Sequence, residues 1–295
     1  MLSRRHALRL ALAALPAAAH AAAPIRVMAS FSILADLVQQ LAGQRLQAAM
    51  LVGPDQDTHV YQPKPSDLRA VAQADVLVVN GLGFEGWMDR LAQAAAFKGR
   101  LVVASAGIAP RQTPDGSTDP HAFQSVPNVK TYIANLRAGL IAADPAGADA
   151  YSTAADRYLQ RLDALDADLR AAWAPLPRTR RRIITTHDAL GYYGAEYGVD
   201  FLAPEGFSTE SEPSAKDLRT LIGQIRSQNI TALFLENISN GAVLRQIARE
   251  TGVKIGGTLF SDALSPPAGP AGTYLAMMRH NTKLMVAATR EANGR

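Results

Sequence analysis

Not one cysteine occurs in the 295 residues, which excludes disulfides, thiolate metal sites and a lipid carried on a cysteine side chain. Aromatic residues make up 6% of the chain, which argues against a roomy, aromatic-lined cleft for an organic solute. No apolar run beyond the opening segment approaches the roughly 20 residues of a membrane span. Net charge is small too. Removing Arg4, Arg5 and Arg9 of that segment from the formal +4 leaves +1, and the basic run from Arg178 to Arg182 stands by itself. This gives no electrostatic case for nucleic acid. Histidine is also scarce, with six in all. His6 and His20 fall in the opening segment, which leaves four.

The opening MLSRRHALRLALAALPAAAHAAAP has the three parts of an export signal: a basic start, an apolar stretch from Ala7 to about Ala19, and Ala19-His20-Ala21 as a small-x-small cleavage site. Ser3-Arg4-Arg5 with Leu8 hints at the twin-arginine route, with Ala7 where that route favours Phe. A signal peptide over 1–23 and a mature chain without a lipid anchor predict a periplasmic location.

Past the signal, apolar runs alternate with helical periodicity. Strand Ile25 to Ala29 leads to a helix with Ile33, Leu34, Leu37, Val38 and Leu41 on one face, stopped by Gly43. Strand Leu46 to Val52, helix Pro65 to Ala72, strand Val76 to Asn80, helix Phe84 to Ala96 and strand Leu101 to Ala104 follow. Such βαβα order with short connections predicts a parallel sheet covered by helices. From Pro127 to about Trp173 only helical spacing remains, broken at Asp144-Pro145 into a shorter helix and one of about 25 residues, on the order of 40 Å long. The alternation then resumes from Arg182 to a last helix ending near Glu291. The pattern predicts an N-terminal α/β lobe over 24–143, a linking long helix over 144–178 and a C-terminal α/β lobe over 179–295.

Ligands in open α/β sheets gather beyond the carboxyl ends of the strands. His59, His121, His187 and Asp262 each sit where a strand run gives way to a loop or helix. Any one of these histidines alone reads as a surface residue or a hydrogen-bonded core residue. Three at equivalent strand exits, together with Asp262, suggest instead a metal cage closed between two halves, and imidazole nitrogen with carboxylate oxygen suits a borderline ion such as Zn²⁺. Asp57, Asp119 and Glu236 are candidates to accept the far N–H of a ligating imidazole. Asp57 and Asp119 read equally as loop or helix caps, Glu210 and Glu212 as a solvated face, and His280 as structural or exposed.

Five segments in order along the chain, Pro54-Asp-Gln-Asp-Thr-His59-Val-Tyr-Gln-Pro-Lys-Pro-Ser66, Asp119-Pro-His121-Ala-Phe123, Thr186-His187-Asp-Ala-Leu-Gly-Tyr-Tyr193, Glu205-Gly-Phe-Ser-Thr-Glu-Ser-Glu-Pro213 and Gly272-Thr-Tyr-Leu-Ala-Met-Met-Arg-His-Asn281, resemble the zinc/manganese substrate-binding proteins of ABC transporters, cluster A-I. The resemblance implies two α/β lobes with mainly parallel sheets, joined by one long rigid helix, with the metal at the lobe interface. It also implies delivery of the ion to a membrane permease. His59, His121, His187 and Asp262 match the four ligand positions in order, and His187, where manganese-type relatives often have Glu, leans the reading toward zinc, with manganese or iron as the alternative. The segment Arg111 to Thr118 lacks the long His- and Asp-rich insertion of many zinc-type members, and Phe123 stands where many have Trp. A monomer is expected, a metallochaperone is a further candidate partner, and no enzymatic reaction is implied.

Two rivals differ in kind. A periplasmic zinc metalloenzyme would share three histidines but needs an open coordination position and a base, and there is no His-Glu-x-x-His helix. An organic-solute or siderophore receptor would need the aromatic cleft that the composition disfavours.

Overall fold

In the computed structural model, which describes residues 24–112, 116–210, 214–228, 230 and 232–293, the apolar runs form two four-stranded sheets. The first holds β1 (Arg26–Phe31), β2 (Gln47–Val52), β3 (Val76–Val79) and β4 (Arg100–Val103) in the order β2-β1-β3-β4. The second holds β5 (Arg182–Ile184), β6 (Asp200–Leu202), β7 (Ala232–Glu236) and β8 (Ile255–Leu259) in the order β6-β5-β7-β8. All pairings are parallel. Parallel strands must be covered on both faces, and all four residues of β3 are buried. The same winding is used twice, so each lobe has its switch point between its first and third strands, where open α/β sheets form their ligand crevice. The signal expected over 1–23 lies outside the described residues, and among those that are described no helix is long and apolar enough to cross a membrane.

Nine helices surround the sheets among the described residues: α1 (Ser32–Ala42), α2 (Pro65–Gln73), α3 (Met88–Ala94), α4 (Val126–Ala143), α5 (Ala148–Trp173), α6 (Gly191–Tyr197), α7 (Ala215–Ser227), α8 (Ala242–Thr251) and α9 (Tyr274–Asn293). Gly43, at φ 58°, ends α1 in a conformation that glycine adopts without steric cost. Ser125 caps α4, its hydroxyl accepting from Asn128 N–H at 3.4 Å, and Pro127 fills the first turn, where no N–H is needed.

The helix expected over Phe84 to Ala96 is shortened to Met88–Ala94. Gly81, Leu82 and Gly83 all have positive φ, and the Glu85 carboxylate turns inward to accept from Asn80 N–H at 2.6 Å and Ser30 hydroxyl at 2.5 Å. Those contacts hold the segment as a loop. Similarly, α6 starts only at Gly191, because Thr186 to Leu190 form the turn that delivers His187.

The 26 residues of α5 span about 39 Å at 1.5 Å per residue. Its buried stripe, Tyr151, Ala155, Tyr158, Leu162, Leu165, Leu169 and Trp173, keeps helical spacing and packs on α1 and α4 of the first lobe and α6 and α9 of the second. Its carboxyl end is closed by Arg181, whose buried guanidinium donates to the carbonyls of Trp173, Leu176 and Tyr197 at 2.6–3.0 Å. One apolar core runs from Val27 through Tyr132 and Trp173 to Phe234 and Met277, so the lobes share it. A separate small core under α7 and α8 contains Ile184, Leu221, Ile225, Leu233, Leu244 and Ile247. Asp36 of α1 accepts from Tyr274 N–H at 2.8 Å, capping the start of α9 from across the seam. A shared core and a cross-capped helix favour small local opening over wide hinge motion.

Candidate metal centre

His59 lies in the loop after β2, His121 at the turn between β4 and α4, His187 just beyond β5 and Asp262 just beyond β8. All four are therefore at the carboxyl edges of the two sheets, and the lobes face each other across them. Two facing edges bring distant residues together: one donor atom from each side chain lies within 4.8 Å of every other. His59 Nε2 is 3.3 Å from His121 Nε2 and 3.2 Å from Asp262 Oδ2. The same oxygen is 2.9 Å from His187 Nε2 and 3.6 Å from His121 Nε2. Bonds of 2.0–2.1 Å to a tetrahedral Zn²⁺ would put neighbouring donors about 3.3–3.4 Å apart, and these four separations bracket that edge. Asp262 Oδ1 is buried without a hydrogen-bond partner among the described residues, which leaves a carboxylate with coordinating capacity to spare.

The far side of each fully buried imidazole is held. His121 Nδ1 lies 2.9 Å from Asp119 Oδ1, and His187 Nδ1 lies 2.7 Å from Glu236 Oε2. Glu236 Oε1 also accepts from Thr186 N–H at 2.7 Å and His187 N–H at 3.0 Å. Both carboxylates thus orient Nε2 toward the common point. Asp57 differs: it accepts the backbone N–H of His59 at 2.8 Å, so of its two sequence readings the loop cap is the one seen. Trp87 Nε1 donates to Thr58 carbonyl at 2.8 Å and steadies the same loop. His280 packs on Phe260 away from the cluster. Glu210 borders the opening beside His59, and Glu212 lies outside the described residues.

A hydrophobic wall backs the first-lobe histidines. Phe84 lies 4.8 Å from His59 and 5.6 Å from His121, centroid to centroid, and Phe123 is 5.9 Å from His121. Phe123 is therefore part of that wall. Sequence reasoning missed Phe84, Trp87, Arg111 and Thr209. Only the first had a signal, as an aromatic just past a strand.

Charge balance explains the electrostatics. Asp262, Asp119 and Glu236 bring three negative charges, of which Arg111 offsets one at 2.6 Å from Asp119, so the cluster needs two positive charges. Burial opposes charging of His121, but Asp262 and the Asp119 hydrogen bond outweigh it and raise its pKa to about 9. His187 follows the same course: burial is overcome by Glu236 and Asp262, and its pKa is raised well above the usual histidine range. Burial would raise Asp262, yet the two imidazolium partners hold it well below the carboxylate range. Two protons or one divalent cation can balance the cluster. Binding at neutral pH must displace about two protons, so apparent metal affinity should rise by up to about a hundredfold per pH unit until pH 9. Titrations from pH 6 to 9 in two buffers of different ionisation enthalpy measure both the slope and the protons released.

Two parallel α/β lobes with three imidazoles and one carboxylate in their seam define a class: two-lobed proteins with an interlobe site suited to a divalent cation. The family model described as "Zinc-uptake complex component A periplasmic" matches residues 27–288, and the chain belongs to that family. The manganese-binding lipoprotein MntA of Halalkalibacterium halodurans is 32% identical over 263 residues, covering 89% of this chain and 87% of its own. The iron-binding protein YfeA of Yersinia pestis is 32% identical over 257 residues, covering 86% and 82%. Among solved structures, the periplasmic zinc-binding protein TroA from Treponema pallidum superposes with a TM-score of 0.87 at 29% identity, covering 90% of this chain and 99% of its own.

Proposed function

We propose that this protein is the exported receptor of a metal-importing ABC transporter, taking up one divalent ion, zinc in preference to manganese or iron, and handing it to the membrane permease. The observation that carries this reading is the convergence of His59, His121, His187 and Asp262, two from each lobe, on one buried point, with one donor atom from each within 4.8 Å of every other. Zinc is favoured by the donor set, since three neutral nitrogens and one oxygen suit a borderline ion better than Mn²⁺, which prefers more oxygens. A manganese or iron cargo is the second reading, supported by relatives at 32% identity that are named for those metals.

The ion is cargo, and no bond in a substrate is made or broken. A catalytic zinc would keep a coordination position for water, whereas four protein donors supply a full tetrahedral set. The division into lobes over 24–143 and 179–295 with a linking helix over 144–178 serves this role by putting two ligands on each side of the seam. We take the receptor to act as a monomer in the periplasm, with a metallochaperone as an additional candidate donor of the ion. Several relatives are named lipoproteins, while this sequence has no cysteine to carry a thioether-linked lipid. Retention would then rest on the compartment rather than on an anchor.

Metal analysis of protein purified from its own periplasm, joined to competition between Zn²⁺ and Mn²⁺ for the metal-free chain, tests the proposal. Zinc at one ion per chain, displacing manganese at equal concentration, is the expected result. Protein that holds no metal and ignores both ions would remove the receptor reading.

A further inference from the structure

The two histidines of the first lobe share a local pattern. Each follows an aspartate by two residues, Asp57-Thr-His59 and Asp119-Pro-His121, and in each the aspartate Oδ1 accepts the histidine N–H, at 2.8 Å and 3.0 Å. That contact orders the turn from which the imidazole projects. The second oxygen is used differently from a simple cap. Asp57 Oδ2 accepts the hydroxyl of Thr209 at 2.5 Å, a residue of the loop following β6 in the opposite lobe.

Asp119 Oδ2 accepts Arg111 Nη1 at 2.6 Å. The Arg111 guanidinium in turn lies over the ring of Tyr192 in the second lobe, 5.4 Å from its centroid. Arg111 N–H donates to the Tyr192 hydroxyl at 2.8 Å, and that hydroxyl donates to the Asp119 carbonyl at 3.2 Å. A Cβ added to Gly191 would overlap the Arg111 guanidinium, so α6 is seated closely on this group. Both aspartates therefore touch a ligand's turn with one oxygen and a group set by the second lobe with the other.

We propose that Thr209 and Arg111 are positioning residues that hold His59 and His121 by tying each Asp-x-His turn to the second lobe, so that lobe separation loosens both imidazoles together and sets the rate of metal release. The physical step is simple. When the lobes part, Asp57 loses its Thr209 bond and Arg111 loses its seat on Tyr192. Each carboxylate is then free to rotate, and the turn it ordered relaxes. A small opening is thereby converted into loss of two ligands at once, which fits a protein whose lobes share one core.

This inference rests on the receptor reading, and its test separates the two. The full chain is loaded with zinc and chased with excess chromogenic chelator, and the release rate is followed with the melting temperature of each metal-free variant. Thr209→Val and Arg111→Met should each release zinc at least about tenfold faster than the wild type, the scale expected when the support of a ligand is lost. The metal-free melting temperature of Thr209→Val should stay within about 3 °C of the wild type, as for substitutions outside the core, whereas Arg111→Met, which leaves the buried Asp119 without its ion pair, should lower it further, and there the release rate is the deciding readout. Thr209→Ser, which restores the hydroxyl, should return the rate to within about twofold, and the double variant should multiply the two effects because the turns are separate. Release at the wild-type rate by both single variants, or equal rates for Thr209→Val and Thr209→Ser, would overturn the proposal. A wild-type chain that never loads zinc would instead remove the receptor reading beneath it.

Discussion

Replacing His121 with alanine should weaken zinc binding by about a hundredfold to a thousandfold while the fold survives. Tetrahedral zinc in small domains is held with an apparent 10–16 kcal/mol, so one ligand in four accounts for about 2.5–4 kcal/mol. Two features place His121 at the upper end. It is fully buried, so water replaces the lost nitrogen poorly. Its partner Asp119 would also lose one hydrogen-bonding group. The fold should survive because the turn around residue 121 is held by main-chain contacts, Asp119 Oδ1 to the residue 121 N–H and Gln124 N–H to the residue 121 carbonyl at 2.9 Å, which alanine retains. Competition against a fluorescent zinc indicator gives the affinity, and circular dichroism of the metal-free variant checks the fold. Wild-type affinity would take His121 out of the site.

Zinc itself should raise the melting temperature by about 8–16 °C. A ligand that binds only the native state at a thousand times its dissociation constant stabilises by about 4 kcal/mol, and for a chain of this size each kcal/mol shifts the midpoint by about 2–4 °C. The cluster amplifies this through its charges. Without a cation it must hold two protons among three carboxylates in a buried site, and a divalent ion replaces both at once while gaining four bonds. Scanning calorimetry with and without zinc measures the shift, and magnesium, which prefers six oxygen ligands, should produce almost none. A midpoint that no divalent metal moves would favour the organic-solute rival.

Much of this was legible in the sequence for a physical reason. Parallel strands buried on both faces are unbroken apolar runs such as Val76 to Val79, so the strands of the first lobe stood out, and the stripe from Tyr151 to Trp173 marked the long helix. Three of the four candidate ligands, His59, His121 and His187, were visible because scarce histidines coincided with strand exits. The limits have physical causes as well. Helical periodicity over Phe84 to Ala96 could not reveal that Glu85 would turn inward to the β3 end and unwind the first turn. Asp57 and Asp119 carry the same Asp-x-His spacing, yet Asp119 reaches an imidazole nitrogen while Asp57 turns its second oxygen to Thr209 of the other lobe. Thr209 and Arg111 are ordinary loop residues until the second lobe is brought against the first.

The most direct test is anomalous scattering at the zinc edge from crystals of the zinc-loaded chain. One strong peak should lie about 2.0–2.1 Å from Nε2 of His59, His121 and His187 and from a carboxylate oxygen of Asp262. A peak elsewhere on the molecule, or one bonded to side chains of a single lobe, would contradict the claim that the two lobes grip one ion between them.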